Sequence, residues 1–361
     1  MNRRNFVGSA FAGVLGLAVA NNALAVQSEA TNSGEIANAS ESKLIKPRML
    51  KPGDTVGVIA PSTAVSDPDD FRKAKEALDY FGLKMKLGDH VQHGNGYKTR
   101  SINERLIDLH NFFADDEINA VIAIRGGYGS PQILDGIDYD LIHKNPKIFL
   151  GYSDVTAMHL AIFKKAGLIT FHGPVLLSSF SNYTIDYFKR ALFSSDPIGL
   201  AENSKDKNTF REVFPIRTIS GGKASGRLIG GNLSLICSTL GTQYEIDTKD
   251  RILFIEDVGE EPYRIDRMLT HLKLANKLQA AKGIVVGFCK DCDYSGLQTS
   301  RIWDPSLGEV IDNIIGGLGI PAIYGLTIGH TTNQITLPIG AMAELDADSK
   351  SLFISESGVH S

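Results

Sequence analysis

The chain has 361 residues, of which 43% are hydrophobic and 22% charged, and its formal net charge is −4. That length admits two domains of ordinary size, and the balance is that of a soluble globular protein. No broad basic excess points to nucleic acid, and no long basic run points to an anionic membrane surface.

In chain order, residues 1–25, MNRRNFVGSAFAGVLGLAVANNALA, open with Arg3 and Arg4 and continue as an uncharged run. They end in the small-x-small pattern Ala23-Leu24-Ala25. The segment resembles a twin-arginine export signal. The run from Phe6 to Ala20 falls short of the ~20 residues that span a bilayer. Export to the periplasm with cleavage is therefore expected, by the twin-arginine or the general secretory route, with no stable membrane insertion afterwards. Residues 26–46 are small and polar and read as a linker.

Thr55 to Ala60 is a short apolar run closed by Pro61-Ser62, the pattern of a buried strand ending in a loop. Asp69 to Phe81 has helical periodicity and stops at Gly82. Ser101 and Glu104 form a capping box ahead of a helix through Leu106, Leu109 and Phe113. Ala120 to Ile124 is a second strand, ending at Arg125-Gly126-Gly127-Tyr128-Gly129. Ile148 to Leu150 is a third, ending at Ser153, with a helix from Asp154 to Lys165. Leu168 to Phe171 is a fourth, ending at His172-Gly173-Pro174.

Strands alternating with helices across short loops predict an α/β fold, with a mostly parallel sheet covered on both faces. Reactive groups in such sheets gather at the carboxyl ends of strands. About residues 195–222 the pattern breaks into polar and charged residues, which separates an N-terminal α/β domain over 47–200 from a C-terminal domain over 215–361. The second part starts with a strand from Ala224 to Leu228, then Gly230-Gly231-Asn232 and a helix through Cys237. A strand over Ile252 to Ile255 ends at Glu256. A helix over Pro262 to Leu278, a strand over Gly283 to Gly287 and hairpin structure over Leu337 to Ile354 complete the reading.

No metal and no cofactor are expected. HExxH is missing, RGGYGS lacks the G-x-G-x-x-G spacing, and Cys289-Lys-Asp-Cys292 has neither a second pair nor nearby histidines for zinc. The two cysteines read better as semi-buried thiols near a strand end.

Ser153 sits in GYSDV, between an apolar strand and a helix start. Such a turn frees a serine oxygen from the backbone and aims N–H groups at a developing oxyanion. Serine is equally a common helix cap. The GxSxG elbow is excluded, because Val155 stands where its second glycine belongs. Of nine histidines, two lie at strand-to-loop junctions, His172 and His330, and either suits a general base. Glu256 ends an otherwise apolar strand, where a carboxylate is either functional or paired.

Several stretches together, GVIAPS (57–62), RGGYGS (125–130), LGYSDVTAMH (150–159), FHGPV (171–175), IGGNLSL (229–235), LFIEDVGEEPYRIDRML (253–269) and IGHTTNQITLPIG (328–340), resemble the L,D-carboxypeptidases of the S66 serine peptidases. The microcin-immunity hydrolases share that family. The resemblance implies a Ser153–His330–Glu256 triad, with the backbone N–H groups of Gly127 and Asp154 as oxyanion donors. It implies an N-terminal domain like that of class I glutamine amidotransferases, a smaller β-rich C-terminal domain, and a homodimer. The implied substrate is a murein tetrapeptide, cut between meso-diaminopimelate or L-lysine and its terminal D-alanine. Arg125, Tyr128 and Asn232, on loops at the same edge, are expected to contact it. Family members that recycle murein work in the cytoplasm, whereas an export signal points to the cell-wall layer. Two rival readings are a serine amidase acting on a peptide conjugate, and an exported murein-binding protein without catalysis.

Overall fold

Two sheets carry the fold in the computed structural model, which describes residues 44–92, 98–204, 214–293 and 304–361. The expected signal and all of the expected linker up to residue 43 lie outside the described residues. From Leu44 on the chain is engaged. The Ile45 N–H donates to the Gly167 carbonyl at 2.9 Å, and Ile45 bridges to Leu168.

The first half alternates as its apolar pattern demands. In order it runs β1 (Thr55–Ile59), α1 (Pro68–Tyr80), β2 (Lys84–Leu87), α2 (Ile102–Ala114), β3 (Ile118–Ala123), α3 (Tyr139–Lys144), β4 (Ile148–Gly151), α4 (Thr156–Ala166), β5 (Thr170–His172), α5 (Asn182–Leu192) and β6 (Gly199–Ala201). The second half continues with β7 (Arg217–Ser220), β8 (Lys223–Asn232), α6 (Leu233–Ser238), β9 (Ile252–Glu256), α7 (Pro262–Leu274), β10 (Gly283–Gly287), α8 (Leu307–Ile314), β11 (Ala322–Leu326), β12 (Leu337–Ile339), β13 (Met342–Asp346) and β14 (Ser351–Ile354).

The first sheet has the order β12-β5-β4-β3-β1-β2, parallel throughout except for β12, which runs antiparallel to β5. Successive residues of β3 and β4 point to opposite faces, and both faces are buried. Ala120, Ile122, Ile148 and Leu150 share a core with the second sheet, while Val121, Ala123 and Phe149 pack with Phe112 and Phe113 of α2 and Met158 and Ile162 of α4. Each of the larger aliphatic and aromatic side chains taken from water contributes about 1.5–3 kcal/mol. The second sheet is separate and richer in β structure, ordered β6-β14-β13-β8-β9-β10-β11-β7, with β8 to β11 parallel.

Helix starts follow the sequence closely. Ser101 and Glu104 form the expected capping box at α2, and Ser306 with Glu309 forms another at α8. Several boundaries differ from expectation. The helix expected from Asp154 opens instead as a tight 3-10 turn over Ser153–Val155, and α4 starts at Thr156. β8 does not stop at Leu228 but runs to Asn232, because β9 pairs along its whole length. α7 ends at Leu274 rather than Leu278. Asn276 takes a left-handed φ of 57°, its N–H donates to Lys273, and the Lys277 N–H donates to Leu272. That is a Schellman stop built on asparagine, the commonest substitute for glycine there. The hairpin expected over Leu337 to Ile354 is confined to β13 and β14, since β12 crosses to the edge of the first sheet. No helix among the described residues is long and apolar enough to cross a membrane.

Candidate active site

The site forms where three carboxyl-terminal strand ends and one loop meet. β4 is wholly buried and ends at Gly151. Tyr152 is extended (φ −154°, ψ −172°), and Ser153 then turns to φ 62°. A non-glycine residue in that region costs roughly 1–2 kcal/mol. The turn is closed by the Val155 N–H donating to the Tyr152 carbonyl at 3.2 Å. Ser153 does not cap the helix: its Oγ lies 3.0 Å from Nε2 of His330.

His330 follows β11, on a loop anchored by the Gln334 side chain. Gln334 Nε2 donates to the Gly329 carbonyl at 2.6 Å, and the Gln334 N–H donates to Thr184 Oγ1 at the start of α5. The Tyr152 ring lies 4.9 Å from the imidazole. On the far side, Nδ1 of His330 is 2.7 Å from Oε2 of Glu256, which ends β9 and is 0% exposed. With a carboxylate at Nδ1, that nitrogen carries the proton, and Nε2 is left to accept from the serine hydroxyl. The chain Glu256–His330–Ser153 has the hydrogen-bond reach of a nucleophile, a base and the group that orients the base.

His172 is not part of this chain. It is fully buried on β5, its ring 5.2 Å from Phe254 and 6.1 Å from Tyr152, and neither ring nitrogen has a partner among the described residues. Burial holds its pKa well below the usual histidine value, so it stays neutral beside His330. Burial also holds His159 down, to about 4, and its Nε2 lies 2.9 Å from the Gly151 carbonyl.

The RGGYG loop follows β3 and lies against the serine. A Cβ on Gly126 would fall 3.4 Å from Ser153 Oγ. Gly127 has φ 119°, and a Cβ there would fall 2.2 Å from Thr63 Oγ1, so only glycine fits. The N–H groups of Gly127 and Asp154 donate to no acceptor among the described residues. A cavity of about 400 Å³ is lined by Arg125, Gly126, Gly127, Tyr152, Ser153 and His330, among others. Arg125 is the permanently charged group among the described residues of that lining. Tyr128 is 50% exposed at the tip of the loop and outside the lining. Asn232 is 3% exposed and occupied elsewhere. It caps α6, its Nδ2 donates to Asp257 Oδ1 at 3.1 Å, and it neighbours Glu256 across the β8–β9 pairing.

Sequence reasoning passed over the groups behind the site. The carboxylate of Asp154 accepts from Ser62 Oγ and the Ser130 N–H, Arg105 grips the same loop, and Tyr152 walls the imidazole. The signals available were the acidic residue directly after the serine and the Pro61-Ser62 end of the first strand. Cys289 and Cys292 are both buried free thiols after β10. Among the described residues no group of three or more His, Cys, Asp or Glu side chains is placed to hold a metal ion.

Residues 56–173 match the LD-carboxypeptidase N-terminal domain and residues 225–345 the LD-carboxypeptidase C-terminal domain. The chain is 44% identical over 315 residues to a probable murein peptide carboxypeptidase of Bacillus subtilis strain 168, covering 87% of this chain and 95% of that protein. It is 31% identical over 335 residues to the microcin self-immunity protein MccF of Escherichia coli, covering 85% and 94%. The crystal structure of a muramoyltetrapeptide carboxypeptidase from Oxalobacter formigenes superposes with a TM-score of 0.71 at 27% identity, covering 85% of this chain and all of that one. Both domain matches in order along one chain, with a relative of nearly equal extent, mean that the chain belongs to the LD-carboxypeptidase family.

Proposed function

We propose that the protein is a serine-type L,D-carboxypeptidase that removes the terminal D-alanine from murein tetrapeptides. The observation that carries this reading is the unbroken Glu256–His330–Ser153 hydrogen-bond chain opening on a cavity lined by Arg125. His330 Nε2 takes the Ser153 proton as Oγ attacks the carbonyl of the residue before D-alanine. The oxyanion falls between the N–H groups of Gly127 and Asp154. Collapse passes the proton from His330 to the leaving amine and releases D-alanine. Water, deprotonated by His330, then hydrolyses the acyl-enzyme. Glu256 holds the imidazole and stabilises its cation. Arg125 pairs with the free carboxylate of D-alanine, which makes the enzyme an exopeptidase. A binding protein without catalysis has no use for this geometry.

The test incubates the purified protein with disaccharide-tetrapeptide and follows loss of one D-alanine by mass spectrometry. Wild type should release it and Ser153→Ala should not. Arg125→Gln should raise KM about 10-fold or more for the free acid, yet leave a substrate amidated at that carboxyl unchanged. No release by wild type would refute the carboxypeptidase reading; turnover of an acyl-adenylate-like conjugate instead would favour an amidase akin to the immunity protein. Equal activity of Ser153→Ala would refute the nucleophile.

A further inference from the structure

We propose that the side chain of Asp154, backed by Arg105, is the positioning group that sets the two oxyanion donors at their working separation. The inference rests on the serine chemistry just described, but not on the identity of the substrate.

The two donors belong to different segments. The Asp154 N–H follows β4, and the Gly127 N–H follows β3. Covalent structure does not link them, so their spacing depends on whatever ties the two loops together. A side-chain carboxylate does so directly. Asp154 Oδ2 accepts from the Ser130 N–H at 2.7 Å, at the far end of the RGGYGS loop, and from Ser62 Oγ at 2.5 Å, beyond the end of β1. Ser130 Oγ returns a hydrogen bond to the Asp154 carbonyl. Three strand ends thereby meet on one residue. Arg105 of α2 closes the same cluster from behind. Its guanidinium donates to the Pro61 carbonyl at 2.9 Å, the Gly129 carbonyl at 2.8 Å and Gln132 Oε1 at 2.9 Å.

The burial shows that this is no incidental surface network. Ser62 and Ser130 are 0% exposed, Asp154 3% and Arg105 4%. Burying a carboxylate costs several kcal/mol unless hydrogen bonds and an opposite charge offset it. Burial pushes the Arg105 pKa down, and the facing Asp154 charge is what opposes that shift. A neutral asparagine at this position could accept the same two hydrogen bonds, since both reach one oxygen, but would hold them longer and more weakly at lower desolvation cost. A charged acceptor holds two donors at once and holds them short. Displacement of a catalytic group by about 1 Å costs on the order of 10²-fold in rate, so a stiff tie between the two donors has a kinetic role.

The experiment measures phosphonylation of Ser153 by a fluorophosphonate, in which Oγ bonds phosphorus, fluoride leaves and the Oγ proton passes to His330. The phosphoryl oxygen needs the same two donors whatever the natural substrate. Asp154→Ala should slow labelling and kcat together by roughly 10²-fold and Ser62→Ala by about 10-fold, with KM within about 3-fold of wild type. The pH midpoint of labelling should not move. A merely structural role would lower the fraction of protein that labels and leave the rate of that fraction intact. Unchanged labelling rates in both variants, or a shifted pH midpoint, overturn the inference; if Asp154→Ala does not fold, Ser62→Ala decides. Wild type that labels but releases no D-alanine overturns the substrate reading and leaves this one standing.

Discussion

Gly329, directly before His330, gives the sharpest test of the triad. Its φ is 82°, and a Cβ built there would lie 2.0 Å from Glu256 Oε2, 2.3 Å from Cδ and 2.5 Å from Cγ. An ordinary carbon–oxygen contact is about 3.3 Å, so in Gly329→Ala the carboxylate must retreat by about 1.3 Å. The His330 Nδ1 to Oε2 distance is now 2.7 Å. A retreat of that size opens it to about 4 Å, which is no longer a hydrogen bond. The imidazole then loses both its orientation and its counter-charge. Loss of that group in a serine triad costs roughly 10²–10⁴-fold in kcat. Alanine at this φ adds about 1–2 kcal/mol of backbone strain, which has to be separated from the steric effect. Gly241→Ala supplies the control, because Gly241 has φ 78° and a Cβ added there would meet nothing within 4 Å. Kinetics of D-alanine release and of fluorophosphonate labelling, with urea melts of both variants, would give the comparison. Gly329→Ala retaining more than about a third of wild-type kcat, or Gly241→Ala losing as much as Gly329→Ala, would sink the reasoning.

Two further outcomes follow from the strained turn and from the buried histidines. Ser153 occupies a left-handed conformation that glycine adopts freely, so Ser153→Gly should be inactive yet about 1 kcal/mol more stable than Ser153→Ala in urea unfolding; equal stabilities would mean that the turn stores no strain. His159 is neutral in the fold with a pKa of about 4 against an ordinary 6.5. The unfolded chain therefore takes up its proton first as pH falls through 6.5, and stability that is full above that value is lost down to about pH 4. Between pH 7 and pH 5 His159 should remove about 2 kcal/mol, with His172 acting in the same direction. His159→Gln should flatten the loss measured by urea unfolding at the two pH values; an unchanged loss would rule His159 out as its source.

Much of this protein was readable before folding because the signals are local. A capping box needs only Ser101 and Glu104, three residues apart, and a buried parallel strand needs only an apolar run such as Ile148 to Leu150. These signals placed Ser153 and Glu256 at strand ends and grouped the RGGYG loop with them. They were weaker where a strand is short, exposed and alternating with lysine, as in β2, or where asparagine replaces glycine at a helix stop, as at Asn276. The residues of the site taken alone left His172 and His330 level, since each ends an apolar run. Family resemblance favoured His330. Only the tertiary structure supplied the physical ground: His330 reaches a carboxylate 74 residues away and a serine 177 away, while His172 faces apolar rings with both nitrogens unpartnered among the described residues. It likewise turned Asn232 inward as a cap, carried β12 across to the first sheet, and made the side chain of Asp154 the knot between three strand ends. Distances of that kind are set by how separate segments pack, and no local pattern of residues encodes them.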